Sequence, residues 1–195
     1  MTNDFPSIKE ADVMLVIGSN TTEAHPVIGS WIKEHRREGA KLIVCDPRKI
    51  ELAKYADVYL RQKSGSDVAL INGLMHVILR DNLQNQAFLD ERVENLEALK
   101  ETVKAYTPEK VSEITGLAPE DVEKAARLYA QGPNSAIFYT MGITQHTSGT
   151  NNVRSLANLA LLCGMMGRPG VGVNPLRGQN NVQGACDMGA LPNVF

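Results

Sequence analysis

Apolar residues are concentrated in four short runs that predict β-strands. The first two runs are continuous and end at turn-forming residues, which is typical of strands buried on both faces of a sheet. The four runs occupy residues 12–17, 41–45, 58–60 and 136–140. Gly18 ends the first run and Asp46-Pro47 ends the second. The run at 136–140 is expected to be the last strand of the chain.

Between the runs, apolar residues recur at helical spacing. Pro26 is placed to begin a helix that Gly39 ends, while residues 18–23 before it are expected to form a polar turn. A second amphipathic helix is predicted after the third strand, with Ser66 or Asp67 as its N-cap.

The second half of the chain continues this alternation. Residues 84–131 are expected to be helical and structural, residues 141–146 to form a strand-end turn, and residues 151–163 to form another helix. Strands joined through helices by short connections favour right-handed crossovers. The sequence therefore predicts an α/β fold: a Rossmann-like, mostly parallel sheet with helices on both faces, in three layers.

Composition narrows the class of protein. With 195 residues, 43% of them apolar, the chain is expected to form a single domain with one core. A net charge of −2 gives no reason to expect a nucleic acid as partner. No apolar run approaches the length of a bilayer span, so direct membrane insertion is not expected. A cytoplasmic location is expected, with the periplasm possible for a longer enzyme.

The first strand–helix–strand unit raises the question of NAD binding. That function requires several glycines after the first strand, so that a pyrophosphate can approach the backbone. Here Gly18 stands alone, although Asp46 occupies the end of the second strand, where ribose is commonly recognised. The pattern indicates a dinucleotide-type architecture without the NAD fingerprint.

Residues 174–189 have neither strand nor helix periodicity. They are rich in glycine and in neutral amides, and they include one arginine, Arg177. Such a segment cannot support itself by burying its own side chains, but it can surround a polar ligand with many hydrogen-bonding groups. The sequence therefore predicts an extended cofactor-binding loop over residues 172–195. The alternative is an ordinary surface loop or tail.

The run from Arg177 to Gly189, RGQNNVQGACDMG, resembles the signature loop of molybdenum- or tungsten-dependent formate dehydrogenases. These enzymes belong to the bis-molybdopterin guanine dinucleotide oxidoreductases. The similarity extends upstream through Val44–Lys49 and Met141–Gln145. Related nitrate reductases usually carry Thr-Gly-Gln at this point of the loop, so Arg177 favours formate within the superfamily.

The resemblance implies roles for individual residues. Arg177 is expected to be catalytic and to hold the formate carboxylate, since guanidinium binds carboxylate bidentately. Asp67 is expected to accept hydrogen bonds from the guanine edge, in addition to any capping role. The full set of expected cofactor-binding residues is Gly18, Asn20, Cys45, Asp46, Arg48, Gly65, Asp67, Met141, Gly142, Gln145, Gly178 and Gln179. Arg154 is the alternative arginine, and His146 is not expected to be a catalytic base.

The resemblance also identifies features that the chain lacks. The family's metal ligand is a selenocysteine or cysteine followed by histidine, and no Cys-His pair occurs here. No four-cysteine cluster occurs that could hold a [4Fe–4S] centre. No residue of this chain is therefore expected to bind the metal.

We therefore expect residues 1–195 to be the central domain of a larger subunit, inactive alone. The N-terminal iron–sulfur region and the C-terminal pterin-binding domain are expected to lie outside the chain. The expected cofactors are bis-molybdopterin guanine dinucleotide with Mo or W, and [4Fe–4S] elsewhere in the subunit. The expected partners are formate, the remaining domains and electron-transfer subunits. The alternatives are another member of the superfamily, a stand-alone nucleotide-binding module, or the central domain of a thiamine diphosphate enzyme.

Overall fold

A computed structural model of the chain describes residues 3–191, so the ends of the predicted domain and of the predicted 172–195 loop lie outside the described residues. Its centre is a parallel sheet formed by the strands β1 (Val13–Ile17), β2 (Lys41–Cys45), β3 (Val58–Leu60), β4 (Ser135–Tyr139) and β5 (Gly172–Pro175). The strands lie in the order β3-β2-β1-β4-β5.

Helices connect the strands, and a further helix follows β5. They are α1 (Thr21–Ala24), α2 (Pro26–Arg37), α3 (Asp67–Arg80), α4 (Gln86–Arg92), α5 (Leu96–Val103), α6 (Pro108–Thr115), α7 (Pro119–Gln131), α8 (Met141–Thr144), α9 (Gly149–Leu162) and α10 (Val182–Asp187). Short 3₁₀ helices occupy Pro6–Glu10 and Glu51–Lys54. In the part of the chain that is described, no helix is long and apolar enough to span a bilayer.

Residues of β1 alternate between two hydrophobic clusters, one on each face of the sheet. Val13, Leu15 and Ile17 pack with α3, α7 and α9, whereas Met14 and Val16 pack with α2. Side chains on successive strand residues point to opposite faces, so a strand apolar at every position needs cover on both sides. The predicted three-layer α/β fold with a parallel sheet is confirmed.

Strand order reverses beside β1. The chain proceeds from β1 to β2 and β3 on one side, then returns through the α3–α7 helices and adds β4 and β5 on the other side. In open α/β sheets, ligands bind outside the carboxyl ends of the strands at such a switch point. A ligand site is therefore expected at the carboxyl ends of β1 and β4.

Several local predictions were wrong. Gly172–Pro175 is a fifth strand rather than part of a loop, because its backbone pairs with β4 although its sequence has no strand pattern. Val182–Asp187 forms a short helix within the predicted loop. The turn predicted at 18–23 overlaps a four-residue helix, Thr21–Ala24, and the turn predicted at 141–146 contains another, Met141–Thr144.

Candidate functional site

The loops after β1 and β4 meet through two glycines. The carbonyl oxygen of Gly18 accepts hydrogen bonds from the Thr140 hydroxyl at 2.7 Å and from the Gly142 N–H at 3.1 Å. A Cβ atom on Gly142 would lie 2.5 Å from that same oxygen, and Gly18 itself has a φ of +56°. Both positions therefore require glycine, and the close approach joins the two sides of the switch point.

A cavity of about 320 Å³ opens beside this junction. Its lining comes from the segments that follow β1, β2, β3 and β4, and it includes two carboxylates. The lining residues are Gly18, Asn20, Ala24, Asp46, Pro47, Arg48, Ser64, Asp67, Thr140, Met141, Gly142 and His146. We call this the first cavity.

Asp46 forms one wall of the first cavity and is nearly buried. Its Oδ1 atom accepts the backbone N–H of Arg48 at 2.8 Å, and the Arg48 Nε atom lies 3.9 Å from the same oxygen. Burial raises the pKa of the Asp46 carboxyl, and the hydrogen bond from Arg48 opposes that shift. This carboxylate is held in place by its own turn rather than by a strong ion pair.

Asp67 lies at the start of α3 and is 5% exposed. The N-cap position belongs to Ser66, whose hydroxyl donates to the Lys63 carbonyl at 2.6 Å instead of capping the helix. The Asp67 Oδ1 atom accepts the side-chain amide of Gln62 at 3.1 Å. Asp67 is therefore not the cap, and its carboxylate is fixed by a buried amide.

A second cavity of about 290 Å³ adjoins the first. The two cavities share Thr140 and Met141. The lining of the second cavity is Tyr139, Thr140, Met141, Thr144, Gln145, Pro175, Leu176, Arg177, Gly178, Gln179 and Val182. Gly178 is packed so closely that a Cβ atom there would lie 2.9 Å from the Met141 sulfur.

Arg177 lies in the second cavity with an exposed side chain. Its carbonyl oxygen is 2.6 Å from the Nε2 atom of His25, which must act as the donor because a carbonyl only accepts. Its Nε atom donates to the Gln183 side chain at 3.2 Å, and Gln183 donates in turn to Asp187 at 2.8 Å. Within residues 3–191, no carboxylate forms an ion pair with Arg177. The guanidinium is thus oriented but not neutralised.

The cavities bring together all of the sequence-predicted site residues except Cys45 and Gly65. Cys45 is wholly buried, burial raises the pKa of its thiol, and its carbonyl accepts the Gly18 N–H at 2.9 Å. Gly65 is exposed in the β3–α3 turn with a φ of +82°. Arg154 is on α9 and lines a separate cleft beside α3, α4 and α5.

Sequence reasoning missed three polar side chains at this edge. His25 contacts Arg177, Gln62 contacts Asp67, and His146 lines the first cavity while its Nε2 atom lies 2.8 Å from the Gly142 carbonyl. For Gln62 a signal existed, because period-two alternation from Leu60 places it on the buried side of the strand end. No local pattern marks His25, which is joined to Arg177 across 152 residues.

Buried polar atoms without a partner concentrate near the same edge. They belong to Ser19, Thr21, His25, Gln62 and Asn174, and two others in the described region lie elsewhere, on Gln84 and Tyr129. A buried polar atom without a hydrogen bond is costly, so such a cluster indicates a polar ligand or ordered water. The cluster, the carboxylates, the amides and the close-packed glycines fit a large polar cofactor. Across residues 3–191, no three His, Cys, Asp or Glu side chains converge as a metal site.

Comparison with known proteins gives one family across the chain. A family model described as molybdopterin oxidoreductase matches residues 1–195. The F420-dependent formate dehydrogenase 1 subunit alpha of Methanococcus maripaludis is 50% identical over the whole chain, which covers 29% of that relative. Formate dehydrogenase H of Escherichia coli is 48% identical over the whole chain, which covers 27% of that relative.

The fold also occurs in a solved structure. Acetylene hydratase from Pelobacter acetylenicus superposes with a TM-score of 0.75 at 27% identity, over 82% of this chain and 24% of that one. The chain thus spans less than a third of the length of these proteins. On the match over its full length, the chain belongs to the molybdopterin oxidoreductase family.

Proposed function

We propose that this chain is the central cofactor-binding domain of a formate dehydrogenase catalytic subunit. In this proposal the first cavity receives the guanine end of a molybdopterin guanine dinucleotide, and the second cavity presents Arg177 to formate. The observation that carries the proposal is the junction of the two cavities at Thr140 and Met141, with fixed carboxylates on one side and an un-neutralised arginine on the other.

The first cavity offers groups suited to a nucleotide. Asp67 lines the cavity with a hydrogen-bond acceptor that suits a base, while Arg48 lines it with a donor that suits a phosphate. Asn20 can both donate and accept. These groups lie at the carboxyl edge of a parallel sheet, where dinucleotides bind in folds of this type.

The second cavity offers groups suited to a small anion beside the cofactor. Gln145 and Gln179 provide donors and acceptors to a polar ring system, and Arg177 provides a fixed positive charge. The planar guanidinium of Arg177 matches both oxygens of formate, so binding would orient the C–H bond as well as hold the charge.

Formate oxidation yields carbon dioxide, one proton and two electrons. The bound metal–pterin group supplies the two-electron acceptor. Arg177 takes no proton in this scheme, since its side chain stays charged at every physiological pH. Its contribution is binding, orientation and electrostatic stabilisation. The Gln183 contact limits rotation of the guanidinium, and the His25 contact fixes the backbone from which it projects.

The remaining parts of the proposed enzyme lie outside the chain. We infer a second pterin dinucleotide, Mo or W with its protein ligand, a [4Fe–4S] centre and electron-transfer subunits. The identity of relatives that are named as formate dehydrogenase alpha subunits supports this inference. The isolated 195-residue chain is expected to be inactive with formate.

Analysis of the cofactor in the full-length subunit tests the proposal. Acid hydrolysis of purified subunit should release GMP together with an oxidised pterin, and the sample should contain Mo or W. The same preparation should reduce an artificial electron acceptor in the presence of formate. A subunit that contains neither pterin nor guanine nucleotide would refute the proposal.

A second candidate is a different reaction at the same kind of cofactor. The structural similarity to acetylene hydratase favours it, because that name denotes the addition of water rather than oxidation of formate. A subunit loaded with pterin and metal that gives no formate-dependent reduction of the acceptor would select this candidate. Formate-dependent reduction would exclude it as the main activity.

A further inference from the structure

The Asp67 carboxylate, which lines the first cavity, is hydrogen-bonded to a buried amide that does not line it. Gln62 is 2% exposed and Asp67 is 5% exposed, and the Gln62 Nε2 atom donates to Asp67 Oδ1 at 3.1 Å. The orientation of the amide is unambiguous, because a carboxylate accepts hydrogen bonds and only the NH₂ group of Gln62 can donate. The Gln62 Oε1 atom consequently points away and has no partner.

An unpaired buried oxygen argues against a purely structural role for Gln62. Leaving a buried acceptor unsatisfied costs roughly 1–3 kcal/mol, which offsets much of the gain from its bond to Asp67. An apolar side chain would fill the position after β3 without that cost, as Leu60 does two residues earlier. The presence of glutamine at this position is better explained by its hydrogen bond to Asp67, which holds that carboxylate in place.

Asp67 faces the cavity with capacity to accept more donors. A carboxylate has about four lone-pair sites on two oxygens, and the bond from Gln62 occupies one of them. Between residues 3 and 191, no other side-chain hydrogen bond engages this carboxylate. Because Oδ1 is tethered, rotation of the carboxylate plane is restricted, and both oxygens are presented in one fixed arrangement.

We propose that Gln62 is a positioning residue that fixes the Asp67 carboxylate for bidentate recognition of a base with two adjacent N–H donors. Guanine has such a pair in N1–H and the exocyclic amine, whereas hypoxanthine has N1–H alone. The inference rests on the proposed function, because it assumes that the first cavity receives the base. The additional claim is that selection of guanine depends on Gln62, which contacts Asp67 and not the base.

Binding of GDP and IDP to cofactor-free full-length subunit tests this role. The wild-type subunit should bind GDP about tenfold or more tightly than IDP, since a lost hydrogen bond to a charged group corresponds to about 1.5–3 kcal/mol. In Gln62→Met, which keeps the length of the side chain and removes the amide, the ratio should fall to about threefold or less. A residue that only supports the fold would weaken both nucleotides equally and leave the ratio unchanged.

The possible outcomes distinguish failure of the role proposed for Gln62 from failure of the assignment of the first cavity to guanine. A wild-type preference for GDP that Gln62→Met retains in full overturns the role of Gln62 alone. A wild-type subunit with no preference for GDP overturns the assignment of the first cavity to guanine. If Gln62→Met does not fold, Gln62→Asn decides, because its shorter amide does not reach Asp67 Oδ1. The same drop in the ratio is then expected, and an unchanged ratio overturns the role.

Discussion

Two groups of charged side chains in this molecule are built in opposite ways. On the outer surface of α3 and α7, two arginines and two acids close a ring: Arg80 contacts Asp81 at 2.8 Å and Glu123 at 2.7 Å, and Arg127 contacts the same acids at 2.8 and 3.1 Å. At the carboxyl edge of the sheet, Arg177 has a backbone and an amide contact but no acid among the described residues.

In the first group every charged side chain has a partner of opposite charge, whereas in the second group Arg177 has none among the described residues. The α3–α7 ring satisfies its own charges, so it needs nothing further and contributes to stability. At the sheet edge, an arginine, two fixed carboxylates and several unpaired buried atoms remain available. Groups left in that state are typical of a binding site, where a ligand supplies the missing partners. Four changes test the contrast.

The largest effect is expected from Arg177→Lys in the full-length enzyme. Lysine keeps the charge but loses the planar fork and the Nε contact to Gln183, so formate turnover should fall roughly 100-fold or more. Steady-state kinetics with pterin content measured in parallel checks this expectation, and the content should be unchanged. Arg154→Lys is the matched control, since Arg154 lines neither cavity. Equal turnover in the two variants would remove Arg177 from the reaction.

Asp67→Ala should reduce retention of the guanine nucleotide. Removal of the carboxylate takes away the acceptors that the proposed function assigns to the base, so the GMP released per subunit after extensive washing should fall about tenfold. The exposed Asp121 on α7 provides the control, because Asp121→Ala removes an acid far from both cavities. Wild-type GMP content in Asp67→Ala would show that the base binds elsewhere.

Gly142→Ala tests the close contact between the loops that follow β1 and β4. The added methyl would lie 2.5 Å from the Gly18 carbonyl oxygen, so the loops must separate at a cost of about 1–3 kcal/mol in the free energy of unfolding. Denaturant unfolding measures this change, and Thr150→Ala on the exposed side of α9 should have little effect. Unchanged stability would mean that the two loops are free to move apart.

The smallest effect is expected from the α3–α7 ring. Hydrogen bonds from Arg80 and Arg127 lower the pKa values of Asp81 and Glu123 below their ordinary values of 3.8 and 4.5. A depressed acid pKa contributes stability above the ordinary value, and that contribution is lost as pH falls through the folded-state value. The pair of changes Asp81→Asn and Glu123→Gln should therefore flatten the loss of stability below about pH 5.

Because these side chains are partly exposed, the change at neutral pH should be modest. Glu94→Gln, at an exposed acid outside the ring, should leave the acid limb of the stability profile as it is in the wild type. An acid limb in the double variant that matches the wild type would mean that the ring contributes nothing.

The pattern of apolar residues was sufficient to predict those strands and helices whose formation is determined by burial. The strand at Val13–Ile17 is apolar throughout, the strand at Lys41–Cys45 is apolar after its first residue, and helix α2 begins at Pro26 as its sequence indicates. It was insufficient for β5, since Gly172–Pro175 becomes a strand through backbone hydrogen bonds to a neighbour distant in sequence. Cys45 was expected to bind the cofactor from the resemblance over Val44–Lys49, which does not show that its side chain is wholly buried at the end of β2.

The candidate site was predicted from resemblance more than from sequence pattern. Arg177 was identified from the signature loop, and Asp67 from a strand-to-helix junction combined with that resemblance. The partners that hold these two residues were not foreseen, because His25 and Gln62 act through contacts that only the folded chain creates.

The bond between His25 and the Arg177 carbonyl also has a consequence for biosynthesis. Its two residues are separated by 152 positions, so a nascent chain emerging from the ribosome cannot close this edge until nearly the whole segment has been translated. Until Arg177 has been translated, the second cavity lacks the part of its lining that this residue provides. A ligand that spans both cavities, as proposed above, can therefore meet all of its contacts only after residue 177 has been translated.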